Sequence, residues 1–331
     1  MNKIKIGNIV LNTKVSLSPM AGITDYILRS LVRENAPDCL ITTEMISSEA
    51  LINESKCKKK DLISQNSLIK RAKNHSPISY QLTGHKPDII SAAAKIIEPY
   101  ADIIDINMGC PVNKVVKGQD GCALMRNPSL AADLVKAIKQ TVSCPVSVKF
   151  RLGYTQDEMN YVDFGVKMQE AGADFITIHA RTRAQMYSGK ADWGKIANLV
   201  KAVDIPVFAN GDIKSIEDAK LCLEMSLADG VAVGRAAMGD VTLIGRIDRY
   251  LKTGEAVDCL SLEDNIKNLK ELIKREIEFR GEDIGTKFVR KYYPFYISKM
   301  QNAAKFRGEL VTETSFEKIV EKLDSIVALA V

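Results

Sequence analysis

The chain contains three histidines and one tryptophan, no C-x-x-C pair, and no apolar run near the ~18 residues of a membrane span. Each shortage removes a class of function. His75, His85 and His179 are too few for a His-rich metal centre, so no metal site is expected. The seven cysteines (Cys39, Cys57, Cys110, Cys122, Cys144, Cys222 and Cys259) are odd in number and widely spread, which argues against a disulfide framework and a zinc ribbon. They fit a reducing cytoplasm. The first residues, MNKIKIGNIVLNTK, carry no apolar h-region and no small-residue cleavage site. A soluble, cytoplasmic protein without a membrane partner is therefore expected. Lys plus Arg number 46 against 41 Asp plus Glu, a balance of +5 that excludes a histone-like polycation and names no partner. With 331 residues, 46% of them apolar, the chain can bury one large core or two modest ones, which excludes disorder and fibre.

Short β-branched runs recur through the first three quarters, each followed by a helical pattern. Eight strands are expected: Val15 to Ser18, Leu40 to Thr43, Ile78 to Leu82, Ile103 to Asn107, Val146 to Phe150, Phe175 to His179, Val207 to Asn210 and Val231 to Val233. Between them, Asn127-Pro128 sets a capping side chain before an N1 proline, and Ser215-x-x-Asp218 resembles a capping box. The strand starts also alternate. Pro77, Pro145 and Pro206 precede strands three, five and seven, while Ala101-Asp102, Ala173-Asp174 and Ala228-Asp229 precede strands four, six and eight. Eight βα units in about 250 residues match a (β/α)8 TIM barrel, with a doubly wound sheet as competitor. From Leu251 the strand signal disappears, and residues 262–280, 287–301 and 315–330 read as helices. The expected architecture is an α/β barrel over 1–250 and a small all-α domain over 251–331.

Chemistry in such a barrel is built at the C-terminal strand ends. Here those ends carry Pro19-Met20-Ala21, Glu44-Met45, Gln81, Asn107 with Gly109-Cys110-Pro111, Lys149 with Arg151, His179 with Arg181 and Arg183, Asn210-Gly211-Asp212, and Gly234-Arg235. Gly211 and Gly234 let backbone N–H groups approach an anion after strands seven and eight, and Arg235 adds a bidentate cation, a pattern suited to phosphate. Gln81 and Lys149 suit the polar edge of a flat heterocycle. Cys110 sits in a tight loop between Gly109 and Pro111, where a thiol can donate a proton. Lys149 is expected to pull its pKa down, which leaves acid and thiolate roles open.

Together these residues resemble the dihydrouridine synthases, flavoenzymes that reduce uridines in RNA. The likeness rests on Ser18-Pro-Met-Ala-Gly-Ile-Thr-Asp25, Gln81-Leu-Thr-Gly84, Asp105-Ile-Asn-Met-Gly-Cys-Pro111, Lys149-Phe-Arg-Leu-Gly153, His179-Ala-Arg-Thr-Arg183, Tyr187-Ser-Gly-Lys-Ala-Asp-Trp193, Asn210-Gly-Asp-Ile213 and Gly234-Arg235. Arg290-Lys-Tyr-Tyr-Pro-Phe-Tyr296 is similar to the Arg-Lys-His signature of the bacterial B-type subgroup, with Tyr292 in place of His. After Gly234-Arg235 the chain reads Ala-Ala-Met-Gly-Asp-Val, where the family usually has Gly-Asn-Pro-Trp. The resemblance implies FMN held by Pro19, Met20 and Ala21 at the ring, Gln81 and Lys149 at its polar edge, and Asn210, Gly211, Asp212, Gly234 and Arg235 around the phosphate. It implies Cys110 as proton donor, with Asn107, Lys149, His179 and Arg181 orienting the uracil, NADPH as reductant and tRNA as substrate.

Two basic clusters suit RNA. Between Ile284 and Gly308 stand Lys287, Arg290, Lys291, Lys299, Lys305 and Arg307, with no acid and five aromatics, Tyr292, Tyr293, Phe295, Tyr296 and Phe306. Several aromatics are expected to pack inward while the cations, Arg290 and Lys291 among them, face RNA. The second cluster, Lys56, Lys58, Lys59, Lys60, Lys70, Arg71 and Lys73, is expected on a loop at the active-site face. The competing functions are a small-molecule flavin barrel of dihydroorotate or dihydropyrimidine type, and a non-catalytic RNA-binding protein. No feature of the sequence indicates an oligomeric state.

Overall fold

The proline and Ala-Asp alternation at the strand starts has a physical basis in a computed structural model, which describes residues 3–57, 68–255, 257–298 and 300–330. The Asp102 carboxylate accepts from the Ile78 N–H at 2.8 Å while the Asp102 N–H donates to the Ile78 carbonyl at 3.1 Å. Asp174 makes the same reciprocal pair with Val146, at 2.7 Å each way, and Asp229 with Val207, at 2.9 Å each way. The residue after each proline thus begins its strand with a satisfied N–H, and strands three to eight are stapled in pairs.

The barrel strands are β3 (Val15–Leu17), β4 (Leu40–Thr42), β6 (Ile78–Thr83), β7 (Ile103–Met108), β8 (Val146–Arg151), β9 (Phe175–His179), β10 (Val207–Asn210) and β11 (Gly230–Val233). All pair in parallel, and β4 pairs with both β3 and β6, so the ring of eight closes as expected. A two-residue strand, β5 (Ile46–Ser47), runs beside the far end of β6. Asn127 caps the helix Pro128–Lys139 by accepting from the Leu130 N–H, and Ser215 caps Ile216–Ser226 by accepting from the Asp218 N–H. The Asp218 carboxylate reaches back to the Lys214 N–H at 2.9 Å, completing a box-like cap one residue earlier than usual.

One hairpin was not anticipated. β1 (Ile4–Ile6) and β2 (Ile9–Leu11) are antiparallel and joined at Gly7, which has φ +56°. Ile4, Ile6 and Leu11 pack with Leu40, Ile103, Phe175, Phe208 and Ala232, closing the N-terminal end of the barrel. The Gly7-Asn8 pair between apolar residues carries this signal. The hairpin plugs one end of the barrel and leaves the C-terminal mouth as its open end.

The last barrel helix is Leu243–Thr253, followed by helices Leu262–Arg280, Glu282–Val289, Tyr293–Tyr296, Ala303–Thr312 and Phe316–Ala330. The single helix expected over 287–301 is broken: it stops at Val289 and resumes for one turn that carries Pro294 near its start. Ala303–Thr312 was not anticipated. Arg280 joins this region to the barrel by pairing with Asp25, the N-cap of helix Tyr26–Asn35, and with Glu276 at 2.7 Å. Among the described residues, no helix is long and apolar enough to cross a membrane, and no group of His, Cys, Asp or Glu could hold a metal ion.

Candidate active site

All eight barrel strands deliver residues to one cavity of about 410 Å³ at the C-terminal mouth. Register explains the convergence, because Gln81 lies beside Asp105, Asn107 beside Lys149, and His179 between Arg151 and Asn210 on its two neighbouring strands. Every residue expected at the cofactor lines this cavity: Pro19, Met20, Ala21, Gln81, Lys149, Asn210, Gly211, Asp212, Gly234 and Arg235. Asn107, Cys110 and His179 line it too.

An oriented chain of amides forms part of the cavity. The buried Asp105 accepts from Ser147 Oγ and from Gln81 Nε2, each at 2.6 Å. Gln81 Oε1 accepts from Asn107 Nδ2 at 2.7 Å, and Asn107 Oδ1 accepts from the Cys110 N–H at 2.9 Å. These contacts fix both amide orientations and leave Gln81 one N–H and one lone pair for the edge of a heterocycle. The same chain anchors the Cys110 loop to the barrel. Arg151 holds it from the other side, donating from Nε to the Gly109 carbonyl at 2.9 Å and from Nη1 to the carbonyls of Thr182 and Met186. Gly121 packs so close that a Cβ there would lie 2.8 Å from the Cys110 carbonyl oxygen.

Burial pushes the Cys110 thiol up, outweighing the Val112 N–H, Arg151 and Lys149, which favour the thiolate. Burial thus outweighs the lowering expected from Lys149, which is present, and the group is a neutral thiol at neutral pH. Burial, reinforced by the Arg151 charge, brings the Lys149 ammonium down to about 8. Its Nζ donates to Asn210 Oδ1 at 3.2 Å. Burial and the charges of Arg151, Lys149, Arg181 and Arg235 push His179 well below its ordinary value, so its imidazole is neutral.

Gly211 and Asp212 adopt φ +120° and +55° after β10. A Cβ on Gly211 would sit 2.9 Å from both Ala191 Cβ and His179 Cδ2. Gly211→Ala is therefore expected to destabilise the fold by about 1–3 kcal/mol, seen as a lower thermal midpoint. Asp212 accepts from Arg181, from the Ala191 N–H at 2.9 Å and from Arg235 at 3.4 Å. Burial alone would raise its pKa, but Arg181 and the Ala191 N–H, with the Lys214 charge, hold the carboxyl below the usual range. Around Gly234 the nearest atoms to an added Cβ are 3.9 Å away, so its backbone is open to a ligand.

Several expected placements need correction. Arg181 does not line the cavity: it is buried, with its donors directed to the carbonyls of Ser188 and Gly189 and to Asp212. Asn210 uses both amide hydrogens inside the barrel, on the Ala232 carbonyl and Ser18 Oγ, so it steadies Lys149 and has no N–H left for a phosphate. Arg290 and Lys291, expected to face RNA rather than the cavity, lie in the helical region. Arg290 is half-buried, and Lys291 donates to the Gly22 carbonyl while lying over the Phe288 ring. Tyr292, Tyr293 and Tyr296 are buried. In the second basic cluster, Lys70 lies over the rings of Tyr26 and Phe279, and Arg71 pairs with Asp102 at the N-terminal end of β7. Arg71 therefore lies away from the active-site mouth. Lys58, Lys59, Lys60 and Lys299 fall outside the described residues. Arg151, named at a strand end but given no role, and Tyr187, against which Arg151 and Arg235 stack, also line the cavity.

Comparison with known proteins gives the family and the fold. A probable tRNA-dihydrouridine synthase of Rickettsia bellii is 42% identical over 306 residues, covering 92% of each chain. A Synechocystis protein named probable tRNA-dihydrouridine synthase 1 is 37% identical, covering 99% of this chain and 90% of its own. The tRNA-dihydrouridine synthase B of Pseudomonas aeruginosa is 35% identical over 93% of this chain and 91% of its own. Among solved structures, an old yellow enzyme homologue from Zymomonas mobilis superposes with TM-score 0.53 at 12% identity, covering 80% of this chain and 95% of its own. That likeness speaks to the barrel fold. The family model described as dihydrouridine synthase matches residues 16–330, and the chain belongs to the dihydrouridine synthase family.

Proposed function

We propose that this protein reduces uridine to 5,6-dihydrouridine in tRNA, with FMN as bound cofactor and NADPH as reductant. The observation that carries the reading is a neutral Cys110 thiol at a cavity whose amides and cations match a flavin edge and a uracil. Pro19, Met20 and Ala21 would border the ring system, and Gln81 and Lys149 would meet its polar edge. The backbone at Gly211 and Gly234 would hold the phosphate, with Arg235 turning from Asp212 to reach it. When bound, FMN supplies the hydride that adds to uracil C6.

The chain's own residues then do the rest. The uracil C5–C6 bond is conjugated to a carbonyl, so hydride addition builds negative charge toward O4. Cationic Lys149 stabilises that charge, and Cys110 delivers the proton to C5. Asn107 and neutral His179 present hydrogen-bonding groups to orient the base. The uridine must leave its stack to reach this depth. Arg181 acts from behind, fixing His179 and Asp212.

The catalytic barrel would run to Thr253, because the last barrel helix continues past the boundary expected at 250, and the region beyond it would be the RNA-binding domain, within the cytoplasm. Lys287 and Lys305 are exposed and suit phosphate contact, whereas Lys291 ties the domain to the loop after β3. This helical region favours RNA over a free pyrimidine as substrate.

Lys149 sets a pH dependence. Its charge is present below about 8 and lost above, so single-turnover uridine reduction should fall as pH rises through about 8. Lys149→Met should abolish that limb as well as slowing the reaction; an unchanged limb would assign it to another group. The assignment as a whole is tested by NADPH oxidation. FMN-loaded protein should turn over with unmodified tRNA and not with free uracil or orotate, and the opposite preference would favour the small-molecule enzyme.

A further inference from the structure

A second cavity, of about 1030 Å³, lies between the barrel and the C-terminal helices. The loops after β10 and β11 form one wall, and the helices Leu262–Arg280, Tyr293–Tyr296 and Ala303–Thr312 contribute to the other. It adjoins the active-site cavity, since Lys214 and Ala236 line both. No step of the reaction described above uses it.

Two residues that line this cavity carry buried polar atoms without a hydrogen-bond partner. Tyr296 is only 4% exposed, yet its hydroxyl makes no hydrogen bond. Asn265 Oδ1 is also buried and unpaired. Native interiors rarely leave such groups unsatisfied, and a ligand would complete them. Phe295 and Phe306 line the same space, with Phe295 38% exposed and so open to a ligand's face. A flat heterocycle meets both requirements, its face against a phenyl ring and its edge against the hydroxyl and the amide. The charged groups at the wall differ in availability. Arg246 and Asp240 neutralise each other in an ion pair, whereas Lys214 is exposed at the junction of the two cavities and suits a phosphate.

We propose that this cavity is a second nucleotide-binding pocket, taking a base between the barrel and the helical region with its phosphate at Lys214. The proposal rests on the function given above, which supplies two sources of such a nucleotide. One is a residue flanking the target uridine in RNA, and the other is the adenosine half of the dinucleotide reductant. In either case, one molecule spans the two cavities through the junction at Lys214.

The test uses FMN-loaded protein titrated calorimetrically with 5′-AMP, GMP, CMP and UMP. Wild type should bind at least one saturably, and Tyr296→Phe and Phe295→Ala should each weaken that binding by about tenfold. Flavin absorbance and thermal midpoint, close to wild type in both variants, establish that they fold. Slower flavin reduction by NADPH in the absence of RNA would assign the pocket to the reductant. Weaker binding of unmodified tRNA, with flavin reduction unchanged, would assign it to the flanking nucleotide. Absence of saturable binding by all four nucleotides, or equal affinity in wild type and both variants, would overturn the pocket. Uridine reduction by wild type in the same samples reports separately on the parent reading.

Discussion

Cys110→Ala should retain its flavin and lose uridine reduction, slowing single-turnover conversion of unmodified tRNA by about 10²–10⁴-fold. The expectation follows from what the thiol does and does not hold together. Its loop is fixed by backbone and by other side chains: Asn107 receives the Cys110 N–H, Arg151 grips the Gly109 carbonyl, and the Cys122 N–H donates to the Cys110 carbonyl at 3.1 Å. Removing the sulfur leaves all of these in place. The flavin spectrum and its reduction by NADPH should therefore be near wild type, while the proton to C5 has no donor. Rapid-quench sampling of tRNA separates the steps. Normal uridine conversion by the variant would place the donor elsewhere.

Removing Arg280 should be the most damaging single change to stability outside the barrel. Asp25 and Glu276 are almost wholly buried, and Arg280 pairs with both. Burial, with Asp25 nearby, raises the Glu276 carboxyl to about 8 even with the guanidinium present. Arg280→Ala leaves two buried carboxyl groups facing each other without their shared cation, a loss of about 3–5 kcal/mol. The sign of the pH dependence follows. The guanidinium lowers the Glu276 pKa, so without it the carboxyl titrates higher still: at pH 6 Glu276 is protonated and the repulsion is absent, whereas at alkaline pH the missing cation costs more, as repulsion or as forced protonation. The drop in thermal midpoint should thus be larger at pH 9 than at pH 6, and Glu276→Gln in the same chain should recover part of it. Equal, small shifts at both pH values would mean that the ion pairs add little.

Much of the barrel is legible in the sequence because parallel strands are buried on both faces and read as β-branched runs. The Ala-Asp echo, weak as a repeat, marks real hydrogen bonds between neighbouring strand starts. The hairpin at Ile4 to Leu11 escapes because its strands are three residues each, although Gly7-Asn8 announces the turn. In the helical region, the apolar period over 287–301 survives the break before Pro294, so periodicity alone overextends the helix. At the site, residue types at strand ends identify the cavity lining, but not the allocation of hydrogen bonds within it. Asn210 and Arg181 have the right chemistry to meet a ligand, and only the fold reveals that their donors are already engaged. The Cys110 pKa illustrates the same limit, since the neighbouring Lys149 is visible in sequence and the burial that outweighs it is not.

Reduction of uridine within tRNA by Cys110 and the barrel-mouth cavity changes the mass of a nucleoside. It is tested most directly by nuclease digestion and mass spectrometry of unmodified tRNA incubated with FMN-loaded protein and NADPH. A uridine should gain two hydrogen atoms with wild type and not with Cys110→Ala. Flavin that cycles with NADPH while every uridine keeps its mass would contradict it.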